Sequence, residues 1–458
     1  MKSARKLPAI RFDLARAAAL LMIVLALDAV QPVCRAATAH KVIELQGLHA
    51  YADRESVPAG ETIRFHVSSR VPYRFGVSRL GLQVDERASD ETIFLADKES
   101  PARVQPIHPG SYVRVKNGLP ADAELSALTL ECWVRPWKLT PWQGILTQHD
   151  YPDRCGYGLF LDAEGRAVFS IGSGGAYDGG SLVTGPKLNL RQWHHLVGVW
   201  DAEAKIATIW VDGKRAAEWQ APDNLPPRKA GPAGLQIGAY SERGVTGRFF
   251  DGDIAMPAIY TRALAEDEIA ARLAKRGLEA PDLGDPALAA FWPLNEERGS
   301  SVADASGNRR DGQIVNLGTW MIGGPSFDGG SVGRYDKSYD PRTDLNRGHG
   351  LRLASDDLYD CGWAATEVFR VPKNARSGIY AAWFGFELEG MPHRYPVTFV
   401  VNKAKGAPKA PLVLMCSTTT WRAYGGTPFT KNVPDETRNW PTGGQPNDPS
   451  NPPAYCFY

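Results

Sequence analysis

Between residues 106 and 325, apolar side chains return at every second position in one short run after another, and this alternation restricts the segment to stacked β-sheets. Successive side chains on a strand point to opposite faces, so a period of two buries one face and turns the other outward. The runs "ALTLECWVRPWK" (127–138), "GILTQHD" (144–150), "YGLFLDAEGRAVFSIGSGG" (157–175), "QWHHLVGVWDAEAKIATIWVDGKRAAE" (192–218) and "FFDGDIAMPAIYTRALAEDEIAARL" (249–273) follow in that order. In the fourth, Trp193, His195, Val197 and Val199 fall on one face of a strand. "WVDGKRA" carries the Asp-Gly pair of a tight hairpin. "AEDEIAARLAK" has the spacing of a short amphipathic helix that seals one end. The piece "FWPLNEERGSSVADASGNRRDGQIVN" (291–316) reads as a further strand pair of the same kind.

Composition agrees with a mainly β chain, because 13 Trp, 46 Gly and 34 Pro suit many short strands and turns. A net charge of +1 leaves no broad footprint for nucleic acid or an acidic membrane surface. Residues 1–39 read as a secretory signal: Lys2, Arg5, Lys6, Arg11 and Arg16 precede the apolar run "AAALLMIVLAL", and Ala37-Thr38-Ala39 offers small residues for a peptidase. That run is shorter than the about 20 apolar residues of a membrane span. The expected location is therefore secreted or periplasmic, with no membrane attachment once the signal is removed; an uncleaved anchor is the alternative. Of six cysteines, Cys34 falls in the signal, Cys132 reads as a small core residue, and Cys155 with Cys361 is the expected disulfide pair.

Residues 40–105 hold short alternating runs such as "TIRFHVSS", too few strands for a closed sandwich. Residues 326–404 hold the complementary set, with "VPKNARSGIYAAWF" patterned like an immunoglobulin-like strand. The two are expected to pair, which would make the segment 106–325 an insertion between the halves of one sandwich. A linker, "NKAKGAPKAP", leads into residues 405–458. There Val413 to Cys416 form an apolar run that breaks into Ser417, Thr418, Thr419 and Thr420, as a buried strand of an α/β sheet ends. Trp421 and Tyr424 follow in a loop closed by Gly425 and Gly426, placed to overhang that strand's carboxyl edge, where ligands bind in such sheets. With about 50 residues, this segment reads as the opening of an α/β domain whose remainder would lie beyond Tyr458.

Over most of its length the segment 106–325 resembles the laminin-G-like, concanavalin-type jelly roll. The order sandwich, jelly roll, sandwich, then "PLVLMCSTTTWRAYGG" resembles the large, β-type subunit of the N,N-dimethylformamidase family, and "STTTWRAYGG" is its sharpest motif. The resemblance implies a glutamine-amidotransferase-like α/β domain at the C-terminal end, holding one iron through two tyrosines and a glutamate. It also implies hydrolysis of a small amide, with a small subunit and a homo-oligomer as possible partners. Carried over residue by residue, Tyr424 alone falls on a position that supplies an Fe(III) ligand; in the substrate pocket, Trp421 reads as a wall or else a core residue, and Thr420 as a hydrogen-bonding group or else a cap on the following backbone. No motif ties Tyr455 or Tyr458 to the second tyrosine, and the glutamate would lie past residue 458. A phenolate is a hard oxygen donor suited to a hard cation, although a packing role over a strand end accounts for Tyr424 equally well.

The remaining motifs carry weaker signals. Asp251 and Asp253, flanking Gly252, suit either a rim calcium site or a turn. His194 and His195 are adjacent, so they point to opposite faces and cannot share a metal. "GSGGAYDGG" (172–180) has Tyr177 where a G-x-G-x-x-G motif needs its third glycine, and reads as a hairpin loop. No G-x-S-x-G elbow accompanies the Ser/Thr run, and no catalytic base or nucleophile stands out. The rival functional class is an exported, non-enzymatic protein whose jelly roll binds a glycan or another protein, a reading that exposed aromatics on the jelly roll's concave face would favour.

Overall fold

A computed structural model of the chain describes residues 39–45, 47–83, 87–151, 155–172, 182–408 and 411–418. Strand dominates, and Glu266–Lys275 forms a ten-residue α-helix.

The jelly roll stacks an eleven-stranded sheet on an eight-stranded one. Alternation does what the sequence requires. Along Ala127–Pro136, Leu128, Leu130, Cys132 and Val134 enter the space between the sheets, while Tyr157, Leu159 and Leu161 from Cys155–Leu161, and Ala167, Phe169 and Ile171 from Arg166–Ile171, meet them from the other side. Asp212 and Gly213 adopt φ of 51° and 74°, the left-handed pair of a two-residue hairpin between Ile206–Val211 and Lys214–Gln220.

His195, Val197 and Val199 do share a face, and it is the one turned away from the inter-sheet core. Val197 and Val199 are covered there by Leu264 and by Ile269 of the helix. The helix starts with Glu266, Asp267 and Glu268, favourable at the positive end of its dipole, and the Glu268 carboxylate accepts the Ala265 N–H at 2.9 Å. Arg272 then reaches down to the fully buried Glu131, which also accepts from His195 Nε2 at 2.9 Å. His194 pairs separately with Asp212 at 2.8 Å. Both histidines thus serve the fold.

The chain ends of the jelly roll feed a second two-sheet unit. Leu48–Ala52, Thr62–Ser69 and Ala365–Arg370 form a three-stranded sheet; Ser56–Pro58, Met391–Asn402, Gly378–Leu388, Tyr73–Arg79 and Glu91–Leu95 form a five-stranded one. Ile63, Phe65, Phe75, Phe369, Tyr380, Phe384 and Phe399 fill the core between them. Strands from residues 48–95 therefore interleave with strands from residues 365–402. Gly350–Leu353, expected with the second sandwich segment, instead pairs with Gly252–Tyr260 in the jelly roll, and Thr319–Met321 pairs with it in turn.

Where the units meet, Leu45, Ile107, Leu358 and Trp363 form a small core, and Trp363 Nε1 donates to the Pro106 carbonyl at 2.9 Å. Cys361 sits here as a free thiol, which corrects the expected Cys155–Cys361 disulfide. Burial and neighbouring Asp360 push this thiol up to about 12. Cys132 is fully buried, as a small core residue should be.

The apolar run before the Ser/Thr stretch also departs from expectation. Leu412, Val413, Leu414 and Met415 are 84–91% exposed and form no strand. A buried parallel strand needs a neighbour on each side to satisfy its backbone, and among the described residues none pairs with it.

Candidate functional site

Thr420, Trp421 and Tyr424 lie outside the described residues. Asp251 and Asp253 are described, buried, and committed to different partners. The Asp253 carboxylate accepts from Arg135 Nε at 2.7 Å, Arg352 Nε at 2.8 Å and Trp137 Nε1 at 2.6 Å. The guanidinium of Arg352 lies 4.3 Å from the Trp137 ring centroid, and that of Arg135 lies 4.9 Å from the Trp193 ring. Arg135 and Arg352 thus both neutralise this buried carboxylate.

Asp251 belongs to a buried acidic corner. It accepts the Ser355 N–H at 2.7 Å, and burial raises its pKa against the pull of Lys138. Close by, the Asp357 carboxylate accepts the Ser111 hydroxyl at 2.5 Å, and its carbonyl accepts Gly110 N–H at 2.7 Å. Burial, with Asp356 and Asp251 adding like charge, raises Asp357 to about 8. The loop 354–357 thereby clips residues 110–111, at the start of the jelly roll, to Asp251. Among the described residues no group of three or more His, Cys, Asp or Glu gathers to hold a metal ion.

A cavity lies elsewhere among the described residues, on the outer face of the eleven-stranded sheet. It has a volume of about 220 Å³ and is lined by Trp142, His149, Tyr151, Phe160, Ser170, Leu182, Tyr240, Glu242 and Arg248. The pleat explains its composition. On the strands whose Tyr157, Leu159, Phe169 and Ile171 enter the core, Phe160, Val168 and Ser170 take the alternate positions and face outward. Phe160 and Tyr240 meet edge to face at 5.4 Å between centroids, and His149 meets each of them at 5.2 and 5.9 Å. These three rings form a buried floor against which Trp142 and Leu182 pack.

At the rim, Arg248 grips Glu242 with two bonds, Nε to Oε2 at 3.0 Å and Nη2 to Oε1 at 3.2 Å, so these two charges cancel each other. Burial pushes the Tyr240 phenol up, keeping it a neutral hydroxyl at ordinary pH. Trp142 and Arg248, both in the lining, hold positive φ, at 57° and 51°. Sequence reading passed over this site. The available signal was an aromatic, Phe160, at an outward position between core residues on its strand.

The fold and the comparisons agree on the class: this is a mainly β protein built around a concanavalin A-like jelly roll. The model of the concanavalin A-like lectin/glucanases superfamily matches residues 109–270. The model described as N,N-dimethylformamidase beta subunit-like, C-terminal, matches residues 321–446. In particular, the chain is similar to the N,N-dimethylformamidase beta subunit of Alcaligenes sp, 28% identical over 416 residues, and to that of Paracoccus aminophilus, 26% identical over 424. These alignments take in 82% and 84% of this chain, and the chain spans about half the length of the curated relatives it matches, 52% of each. The resemblance read from the order of modules and from "STTTWRAYGG" therefore stands.

Among solved structures, a native heptameric SAP-like pentraxin from Limulus polyphemus matches with a TM-score of 0.29 and 14% identity, over 44% of this chain and 82% of its own. The CBM40 module of Ruminococcus gnavus IT-sialidase matches at 0.28 and 14%, over 36% of this chain and 94% of its own. Likeness at that level carries no functional inference. No helix among the described residues is long and apolar enough to cross a membrane.

Proposed function

We propose that the chain acts within an iron-dependent amide hydrolase of the N,N-dimethylformamidase kind, on a small linear amide. The observation that carries this reading is the family match over residues 321–446, which spans "STTTWRAYGG" and so brings in Thr420, Trp421 and Tyr424. In this reading Tyr424 gives its phenolate to a ferric ion, and Thr420 and Trp421 wall the amide's pocket. Bound there, such an ion would supply Lewis acidity toward an amide carbonyl. The same proposal includes an immunoglobulin-like character for the two-sheet unit, an α/β character for residues 405–458, a small partner subunit and self-assembly of the chain. Its basic, then apolar, leader supports export to the periplasm or beyond.

The test is iron content and visible absorption of the purified full chain beside its Tyr424→Phe variant. Iron that falls in the variant, together with a lost phenolate-to-iron absorption band, supports the reading. Unchanged iron removes Tyr424 from the ligand set. A second reading, an exported binding protein without catalysis, is favoured by one observation: the aromatic pocket on the jelly roll's outer face.

A further inference from the structure

The aromatic pocket has properties that select among ligands. Two of its charges cancel, because the carboxylate of Glu242 is held bidentately by Arg248. A free cation entering the ring of aromatics would have to share Glu242 with a guanidinium already in place, and an anion would have to share Arg248. A neutral occupant meets neither cost. The pocket's 220 Å³ falls below the roughly 300 Å³ at which drug-sized sites begin, so it suits a single ring with its substituents.

The polar groups narrow the choice further. Ser170 is 3% exposed and Tyr240 is 5% exposed, yet the side chains of both line the cavity. Among the described residues, neither of these hydroxyls makes a side-chain hydrogen bond, and the Trp142 indole N–H makes none. These groups open onto the cavity, and an occupant that covers them must supply the partners that solvent otherwise provides. A hydrocarbon or a bare aromatic ring would leave all three without partners, at the desolvation penalty of each. A ring with one C–H face and hydroxyls around its edge satisfies both the aromatic surfaces and the three donors.

We propose that this pocket is a metal-independent site for one neutral sugar residue, a pyranose whose C–H face lies against Trp142 and the Phe160–Tyr240 floor and whose oxygens pair with Ser170 and Tyr240. The site differs in place and chemistry from the buried carboxylates of Asp251 and Asp253. It gives the binding-protein reading a location and a ligand class, and it uses no residue of the "STTTWRAYGG" motif. It therefore holds whether or not the chain takes part in amide hydrolysis.

The experiment is saturation-transfer NMR on the purified full chain with the methyl glycosides of glucose, galactose, mannose and N-acetylglucosamine. Tetramethylammonium, sialic acid and p-cresol serve as cationic, anionic and aromatic probes. At least one glycoside is expected to bind, equally well with and without EDTA. Trp142→Ala should weaken it about tenfold or more, and Tyr240→Phe, which keeps the ring and the packing, about two- to tenfold. Ser170→Ala should do the same and covers the case in which Trp142→Ala fails to fold. Tyr424→Phe should bind the sugar as the unaltered chain does, which separates failure here from failure of the hydrolase reading. The proposal is overturned if no glycoside binds at tens of millimolar, if binding needs calcium, or if only one of the three non-glycoside probes binds. Glycoside binding that survives both Tyr240→Phe and Ser170→Ala unchanged would also overturn it.

Discussion

The buried acidic corner makes the stability of this protein depend on pH in a direction that can be worked out. Asp357 has a folded-state pKa raised to about 8, against about 3.9 for an aspartate in an unfolded chain. Between those values the folded protein holds a proton that the unfolded chain has released, so unfolding releases protons and stability falls as pH rises. The contribution is fully present below about pH 4 and is lost progressively up to about pH 8. One proton is worth about 1.4 kcal/mol per pH unit, hence about 2.7 kcal/mol between pH 5 and pH 7. Asp357 faces Asp356 and Asp251, which raise its pKa, and Ser111, which lowers it; Lys138 acts through Asp251. The two buried carboxylates therefore titrate as a pair.

Asp357→Asn replaces the titrating group with a neutral one of the same shape that can still accept from Ser111. Urea unfolding followed by tryptophan fluorescence at pH 5, 6 and 7, extrapolated to water, should show the variant gaining on the unaltered chain by about 2.7 kcal/mol across that range. Equal slopes for the two proteins would refute a raised pKa at Asp357 and, with it, the account of the corner as a protonated clip.

Two further outcomes follow from other buried groups. Arg272→Met removes the cation above Glu131, whose side chain is 2% exposed, and should cost about 3–5 kcal/mol. Adding Glu131→Gln should recover much of that loss, and a double variant no more stable than the single one would contradict a charge-based role. At pH 8, Cys361 should present on the order of a thousandfold fewer thiolates than a thiol of ordinary pKa. Peptide mapping after brief iodoacetamide treatment should find it unlabelled under conditions that fully alkylate glutathione, and equal labelling would contradict its burial.

What the sequence disclosed and what it withheld divide by the range of the interactions involved. Alternation in "ALTLECWVRP", the Asp212–Gly213 turn and the period of the helix are local properties, legible because each is decided within a few residues. Gly350–Leu353 was misplaced because a four-residue apolar run fits any sheet, and its partner Gly252–Tyr260 lies about a hundred residues earlier. The ion pairs of Asp253 were equally out of reach of a local reading, because Arg135 and Arg352 stand 118 and 99 positions away. The pocket was hidden for the same reason: Trp142, Ser170 and Tyr240 come from separate strands and turns, and nothing in a single run says that their outward faces converge. The run Val413 to Cys416, ending in Ser417 to Thr420, has the pattern of a buried strand, but such a pattern does not say which strand would pair with it.

The interleaving of the two-sheet unit sets a schedule for synthesis. Thr62–Ser69 pairs at once with Leu48–Ala52, but its other edge waits for Ala365–Arg370, and Tyr73–Arg79 waits for Gly378–Leu388. The partners are encoded roughly 300 residues downstream, a delay of about a quarter of a minute to a minute at usual elongation rates. During that interval the emerging polypeptide displays Ile63, Phe65 and Phe75 on incomplete sheets while the whole jelly roll is made. This half-built sandwich is the stage at which chaperone engagement, or aggregation through open strand edges, is decided.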